Sequence, residues 1–264
     1  MAPGPNFKDE LKGHKAVIIG GSRGIGLGVA EAFLSYGAHV HIIGFSERSV
    51  IVAVDLLSEE YPDSHASSLI SGSTSDVRDE SRITEALLKL APVDHIVYTA
   101  VDARIRGPIA EEDIKLSQDL FGVKFWGQVA VAKAIAKHDI VNPGGSYTIT
   151  SGTLSLKPKL DCAVGGALNS AVNALAKGLA LDLAHKKVRV NAVIPGFVIS
   201  PHDAINQDPI TPERKAFLEK AGAGLPTGNG VGSTEDIAEA YIYFARAKFT
   251  TGTLAVVDGG ALLL

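Results

Sequence analysis

The stretch that decides the fold is Gly20-Gly-Ser-Arg-Gly-Ile-Gly26, between the β-branched run Ala16-Val-Ile-Ile19 and a helix-length segment from Gly24 to Tyr36. Apolar residues recur at helical spacing in that segment, and Gly37 follows where a helix often ends with a left-handed residue. Glycines between a strand and a helix let the backbone turn tightly and approach a pyrophosphate at the helix N-terminus. The stretch therefore predicts a β-α-β unit that binds a dinucleotide.

The same alternation of short apolar runs and helix-length segments continues along the chain. The further runs are His39–Ile43, His95–Tyr98, Tyr147–Thr150, Val188–Val193 and Leu254–Val257. Such alternation predicts an α/β fold: a Rossmann-type doubly wound parallel sheet in three layers, whose ligands bind at the carboxyl ends of the strands. We expect one domain over residues 1–264.

One long segment, about residues 200–232, contains no predicted strand. Four prolines and several glycines surround a helical patch near Glu213 to Lys220. Long excursions of this kind often close over a ligand, so we interpret it as a substrate lid; the alternative is a disordered insertion.

The composition favours an enzyme that acts on small molecules. The 264 residues are 46% hydrophobic with a net charge of −4, which leaves no positive excess for nucleic acid or an anionic membrane surface. Cys162 is the only cysteine, so no internal disulfide or thiolate metal cluster forms, and we expect no metal. No apolar run approaches the ~20 residues that span a bilayer, and the N-terminus is polar. We expect a cytoplasmic protein without a membrane or nucleic-acid partner.

The spacing of the glycines, three residues and then one, resembles the fingerprint of the short-chain dehydrogenase/reductase family. Asp76-Val77 resembles the adenine-binding pair of that family, and Tyr98-Thr-Ala-Val101 stands where the family usually has Asn-Asn-Ala-Gly. Pro195-Gly-Phe-Val-Ile-Ser200 resembles the segment that binds the nicotinamide carboxamide, and Val257-Asp-Gly-Gly260 matches a C-terminal signature. The resemblance covers roughly residues 12–262.

The end of the second strand, Gly44-Phe-Ser46, selects the cofactor. Enzymes that use NAD place an acidic residue there, which binds the ribose diol and repels a phosphate. This chain has none, and Arg23 with Ser22 can bind a 2′-phosphate together with Ser46 and Arg48. We therefore expect NADPH/NADP+; the alternative is that both arginines are solvated. The full predicted cofactor site is Gly20, Ser22, Arg23, Gly24, Ile25, Gly26, Ser46, Arg48, Asp76, Val77, Thr99, Ala100, Val101, Lys124, Pro195, Gly196, Val198 and Ser200.

The catalytic residues of the family are only partly matched. Members place a Ser after the fifth strand and then Tyr-x-x-x-Lys on the next helix, where the Tyr donates the proton. Ser151 matches the first position. Counting back from the following helix and strand puts Gly165 at the Tyr position and Asn169 at the Lys position. No tyrosine occurs between residues 147 and 241 and no lysine between residues 159 and 177, so no shift of register supplies the pair.

Loss of the pair changes which chemistry is feasible. Reduction of a ketone creates a basic alkoxide and needs a proton donor, typically worth on the order of 10² to 10⁴-fold. Reduction of an iminium cation creates a neutral amine, for which an anion that binds the cation is more useful. The candidate anion is Asp161, with Asp102 second. Lys124, at the position of the auxiliary Asn of the family, can bind the nicotinamide ribose or balance Asp161. Each of these side chains could equally be a solvated surface group.

The degenerate active site, together with Phe125-Trp-Gly127, resembles a group of fungal short-chain reductases. These act on prenylated indole alkaloids of the malbrancheamide and paraherquamide type. The resemblance implies reduction of a polycyclic iminium by NADPH, followed by an intramolecular Diels-Alder cycloaddition, with Gly165 and Gly166 opening room for the substrate. Two alternatives stay open: a ketoreductase with Ser151 or Lys124 as proton donor, and an NADPH-binding protein without turnover.

Relatives of this family commonly form dimers and tetramers. Helices equivalent to residues 116–137 and 163–184 supply the contacts, which implies a homo-oligomer here.

Overall fold

A seven-stranded parallel sheet forms the centre of the molecule in the computed structural model, which describes residues 11–61, 69–101, 107–199, 211–228 and 230–264. Its strands are β1 (Lys15–Ile19), β2 (His39–Gly44), β3 (Ile70–Thr74), β4 (Val93–Tyr98), β5 (Val141–Thr150), β6 (Arg189–Pro195) and β9 (Leu254–Val257). They lie in the order β3-β2-β1-β4-β5-β6-β9. Two short strands, β7 (Val198–Ile199) and β8 (Gly232–Ser233), pair with each other outside this sheet.

Helices cover both faces of the sheet. They are α1 (Gly24–Ser35), α2 (Glu47–Glu60), α3 (Glu80–Leu90), α4 (Ile114–Phe121), α5 (Gly127–Lys137), α6 (Ala163–Asp182), α7 (Pro212–Gly222) and α8 (Thr234–Arg246). One hydrophobic core joins α3, α5 and α6 to the sheet, and a second joins α1, α2 and α8 to its other face. The predicted α/β fold of three layers is confirmed.

Burial on both faces explains why the strands are continuous apolar runs. In β1 every residue after Lys15 is buried, because a sheet covered by helices on both sides has no solvent-facing side. The predicted strands are confirmed, although β5 begins at Val141 and β6 ends at Pro195. The edge strand β3, Ile-Ser-Gly-Ser-Thr, is mostly exposed, which is why its sequence is the least apolar.

The strand order reverses between β1 and β4. The loops that follow these two strands therefore run to opposite faces of the sheet and leave a crevice at the carboxyl ends of the strands. The described part of the predicted lid lies beside this crevice. Its helical patch is confirmed as α7, and β7 pairs with β8 so that the two ends of the segment are joined. Residues 200–210 and 229 of the segment lie outside the described residues. Among the helices described here, none is both long enough and apolar enough to cross a bilayer.

A candidate nucleotide and substrate site at the strand ends

A cavity of about 1600 Å³ opens at the carboxyl ends of the strands. Most of the predicted site residues line it: Gly20, Ser22, Arg23, Gly24, Ile25, Gly26, Ser46, Asp76, Val77, Thr99, Ala100, Val101, Lys124, Ser151, Asp161, Pro195 and Gly196. Segments that are far apart in the sequence, such as the first strand and the loop before α6, therefore line the same cavity.

Two predicted residues that the structure describes do not line this cavity. Arg48 is exposed on the first turn of α2 and does not line the cavity, whereas its neighbour Ser49 does. Val198 lies on β7, also away from the lining, and Phe197 lines the cavity instead. Asp102 and Ser200 lie outside the described residues.

The glycine loop leaves no room for side chains. Gly20 has a φ of +84°, and a Cβ there would lie 2.5 Å from the Ala100 amide nitrogen. A Cβ at Gly26 would collide with the Gly20 carbonyl and lie 2.5 Å from Thr99 Oγ1, which itself donates to the Ile19 carbonyl. Arg23, the N-cap of α1, makes no side-chain capping hydrogen bond, so the first amides of the helix are open to an anion. The loop fits a pyrophosphate.

The adenosine end of the cavity joins the glycine loop to the end of β2. A Cβ at Gly44 would lie 3.2 Å from Ser22 Oγ, so the two segments touch. Ser46 is the N-cap of α2 and makes no capping hydrogen bond, and Arg23 is exposed at the same end. Glu47, the acidic residue that follows, is exposed and does not line the cavity. The groups available to a ribose phosphate here are thus hydroxyls and the Arg23 guanidinium, with a second guanidinium, that of Arg78, 5.7 Å from the centre of the Phe45 ring at the same strand end.

Arg78, which the sequence reasoning missed, orders the adenine side. Its guanidinium donates to both carboxylate oxygens of Asp76 and to both of Asp119, at 2.8–3.2 Å. These hydrogen bonds hold the pKa of Asp76 below its usual value. The only signal in the sequence was the position of Arg78 directly after Asp76-Val77. Next to this cluster, the buried hydroxyl of Ser75 lines the cavity and has no hydrogen-bond partner in the described structure, as expected for a group that awaits a ligand.

Lys124 projects from a π-helical turn (Gly122–Trp126) and is buried at the other end of the cavity. Its ammonium donates to the Ser151 carbonyl at 3.0 Å and to Asn169 Oδ1 at 2.7 Å. Burial lowers the pKa of Lys124 to about 8. Ser151 Oγ donates to the Asn169 carbonyl at 2.9 Å, so its proton is engaged by the backbone of α6. Lys124, Ser151 and Asn169 therefore form one hydrogen-bonded set.

Asp161 lies in the exposed loop before α6 and lines the cavity. It has a φ of +59°, a left-handed conformation that costs an Asp roughly 1 kcal/mol and that aspartate tolerates better than most residues. Its backbone carbonyl accepts a hydrogen bond from the Gly107 amide at 2.9 Å, which ties this loop to the one after β4. No ion pair joins Asp161 to Lys124, both of which are described, so the predicted charge balance between them is not seen here.

The remaining lining of the cavity combines apolar side chains with lysines. The apolar residues are Leu154, Leu160, Phe197, Phe217, Leu225 and Leu264, and the lysines are Lys157, Lys159 and Lys220. The rings of Phe197 and Phe217 meet edge to face at 5.4 Å, and the Lys159 ammonium lies 4.6 Å from the centre of the Phe197 ring. Gly165 is buried and is not one of the lining residues, so the predicted opening at this glycine is not seen among the described residues.

A glycine cradle at the switch point of a parallel sheet is typical of a Rossmann fold that binds a nucleotide. The family model of the SDR-like Rossmann domain matches residues 7–264. The chain belongs to the short-chain dehydrogenase/reductase family, and that fold implies a nicotinamide cofactor, which the cradle fits.

Two relatives match the chain over nearly its whole length. The short-chain dehydrogenase/reductase malC of Malbranchea aurantiaca is 33% identical over all of both chains. The 3alpha-hydroxysteroid dehydrogenase of Mediterraneibacter gnavus is 29% identical over 95% of this chain and 98% of its own.

Solved structures agree. The MalC reductase/Diels-Alderase from Malbranchea aurantiaca superposes with a TM-score of 0.86 at 31% identity, covering 97% of this chain and 99% of its own. A small-chain dehydrogenase in complex with NADPH gives 0.74 at 29% identity, covering 96% and 100%. The predicted family is confirmed.

Proposed function

We propose that this chain is an NADPH-dependent reductase of secondary metabolism that reduces a cationic cyclic iminium without the Tyr and Lys of its family. The observation that carries the proposal is the contact between Lys124 and Asn169. The family places Asn at the first position and Lys at the second, and here the two are exchanged. The ammonium is thus retained beside Ser151 but comes from another helix, while the sequence of α6 contains no tyrosine and its one lysine, Lys177, is exposed.

NADPH supplies the hydride when bound. The chain contributes the glycine cradle for the pyrophosphate and a cluster of Ser22, Arg23 and Ser46 for the 2′-phosphate. Lys124 has one N–H beyond the two that bond Ser151 and Asn169, and that donor is suited to the hydroxyls of the nicotinamide ribose.

Asp161 is the group suited to the substrate. A carboxylate at the cavity wall stabilises a cation bound next to it until hydride from NADPH has reduced one C=N bond. In a substrate that keeps a second C=N bond, the same carboxylate can then accept a proton from one ring position and return it to another, a tautomerisation that forms a conjugated azadiene. The apolar residues of the lining, such as Leu154, Phe197 and Phe217, offer contact surface to a rigid polycyclic substrate and would hold diene and alkene close together for a cycloaddition. The similarity to a protein described as a reductase/Diels-Alderase supports this second step.

A second candidate is a ketoreductase. The pKa of about 8 at Lys124 favours it, because an ammonium of that acidity can donate a proton near neutral pH. In that case the rate of ketone reduction should fall above about pH 8 as Lys124 loses its proton.

We also propose a cytoplasmic homo-oligomer, either dimer or tetramer. Exposed apolar side chains on the α4 to α6 face support it, among them Ile114, Trp126 and Leu181. Sedimentation velocity would test the oligomeric state.

Single-turnover oxidation of NADPH tests the reaction. We expect turnover with a cationic cyclic imine that carries a prenyl group, and none with matched cyclic ketones. Product analysis would then show whether a bridged ring forms in one stereochemical series. Ketone reduction with a decline above pH 8 would replace the proposal by the ketoreductase, and saturable NADPH binding with no oxidation of either class would replace it by a non-catalytic binding protein.

A further inference from the structure

Tyr98 ends β4 and is completely buried, at the place where the family usually has the first Asn of Asn-Asn-Ala-Gly. Its hydroxyl donates a hydrogen bond to the Val123 carbonyl. Val123 belongs to the π-helical turn that also carries Lys124. A core side chain of the sheet therefore reaches the one irregular turn between α4 and α5.

The turn explains why that carbonyl needs a new partner. The Gly127 amide donates to the Gly122 carbonyl, five residues back, as in a π-helix. In an α-helix the same amide would donate to the Val123 carbonyl. The Tyr98 hydroxyl takes the place of that donor.

Gly127 shows the same fit from the other side. A Cβ on Gly127 would collide with the Tyr98 hydroxyl and lie 3.2 Å from Val77 Cβ. The turn can approach Tyr98 this closely only because Gly127, the residue that follows the turn, has no side chain.

We propose that Tyr98 is a positioning residue: it stabilises the Gly122–Trp126 π-turn and thereby places the Lys124 ammonium between Ser151 and Asn169. A π-turn accommodates one residue more than an α-helical turn, so its conversion to α-helical hydrogen bonding would shift the helical register around Lys124 by one residue, which corresponds to a rotation of about 100°. A rotation of that size would carry Lys124 away from both acceptors. The inference deepens the proposed function, since it rests on Lys124 acting in the site.

The ionisation of Lys124 reports on its position. Its two acceptors, the Ser151 carbonyl and Asn169, are neutral, and burial alone depresses its pKa. The charged groups of the described chain that face the same cavity come from other elements: Asp76 and Arg78 after β3, Arg23 in the glycine loop, Lys157, Lys159 and Asp161 before α6, and Lys220 on α7. If the Lys124 ammonium moves away from these two acceptors, it becomes more hydrated, and its pKa rises toward 10.5.

The test titrates Lys124 in the cofactor-free protein by competitive acetylation and mass spectrometry at pH 6–11. We expect Tyr98→Phe to raise the apparent pKa of Lys124 by on the order of one unit and to speed its acetylation, because the ring stays and only the hydroxyl is lost. Tyr147→Phe is the matched control. Tyr147 is also completely buried, and its hydroxyl donates to a helix carbonyl at 3.0 Å, but that carbonyl belongs to Gln128, which lies outside the π-turn.

Equal titration of Lys124 in the unmutated protein, Tyr98→Phe and Tyr147→Phe would overturn the inference. The pH dependence of NADPH affinity separates this from failure of the proposed function. We expect an inflection near pH 8 that Lys124→Met abolishes. If Lys124→Met keeps the inflection while Tyr98→Phe still shifts the acetylation profile, the positioning role stands and the proposed role of Lys124 in binding the cofactor is wrong.

A rescue experiment tests the same contact sterically. Gly127→Ala should lower the melting temperature, and adding Tyr98→Phe should recover part of the loss because the colliding oxygen is gone. Additive losses in the double variant would contradict the close fit.

Discussion

The two ends of the cavity differ in how the chain builds them. At the cofactor end, the anion site consists of backbone amides and glycines from one contiguous stretch, and the fit depends on the absence of side chains at Gly20 and Gly26. At the catalytic end, Lys124, Ser151 and Asn169 come from three separate elements and depend on one another. A backbone site tolerates change in its surroundings, whereas a side-chain site can be reorganised by exchanging two residues.

The largest expected effect concerns the substrate side of the catalytic end. Asp161→Asn keeps the size of the side chain but removes its charge and basicity. We expect kcat to fall on the order of 10² to 10³-fold, while NADPH affinity stays unchanged because Asp161 lies outside the glycine cradle. Single-turnover oxidation of NADPH with a cationic imine measures the first, and fluorescence titration the second.

Asp55→Asn, an exposed carboxylate on α2 away from the cavity, is the control for this experiment. An unchanged rate in Asp161→Asn would show that the Asp161 carboxylate takes no part in the reaction.

The next effect is a pH dependence of stability at Lys124. Its pKa is 10.5 in an exposed state and about 8 when buried, so between pH 8 and 10.5 the unfolded chain binds more protons than the folded one. Stability therefore rises with pH across this window, and the cost of burying the ammonium is fully present below pH 8. Relative to Lys124→Met, the unmutated protein should gain about 3 kcal/mol between pH 8 and 10.5, since one pKa unit is about 1.4 kcal/mol.

Urea unfolding of both proteins at several pH values measures this difference. If the free energies of unfolding of the two proteins changed with pH in parallel, the Lys124 ammonium would be hydrated in the folded protein, and its burial would not lower the stability.

A smaller effect is expected from restoring the family residue at position 169. Asn169→Lys would place a second ammonium where Lys124 now finds its acceptor at 2.7 Å. We expect a loss of about 2 kcal/mol in unfolding free energy and lower turnover. The exchange variant, Lys124→Asn with Asn169→Lys, should recover most of the stability because one ammonium and one amide are again present. A loss in the exchange variant equal to the sum of the losses in Lys124→Asn and Asn169→Lys would show that the two residues are not coupled.

Restoring the tyrosine as well, by Gly165→Tyr with Asn169→Lys, should not raise native turnover. A ring at the buried Gly165 must displace its surroundings. Faster reduction of a cationic imine by this variant would contradict the proposal that the reaction proceeds without the proton relay of the family.

The smallest effect lies at the cofactor end. NADPH should bind at least about tenfold more tightly than NADH, equivalent to about 1.4 kcal/mol, through contacts of the 2′-phosphate with Arg23. Arg23→Ala should remove this preference, and Arg48→Ala, which changes an exposed residue outside the cavity, should leave it intact. Isothermal titration with both cofactors decides between them, and equal affinities in the unmutated protein would show that the cofactor end does not discriminate.

Most residues that the sequence predicted for the cofactor end line the cavity, because strand, glycine turn and helix are adjacent in the chain and their spacing is dictated by backbone geometry. It predicted that Lys124 and Ser151 belong to the site, but not that Asn169 accepts from Lys124, since that contact depends on a π-turn with no periodic signal. Arg78 was missed because its partner Asp119 lies 41 residues away. The placement of Gly165 away from the cavity lining was likewise beyond what residue size alone could indicate.

The exchange of Asn and Lys that we propose for positions 124 and 169 has a consequence for descent. A lineage that moved from the usual arrangement of the family to this one by single substitutions had to pass through either two lysines or two asparagines. Two lysines would face each other across the 2.7 Å now spanned by a hydrogen bond, whereas two asparagines can donate and accept between themselves. The passable order is therefore loss of the lysine on α6 first and gain of Lys124 second. Reconstructed ancestors of this branch are expected to carry asparagine at both positions.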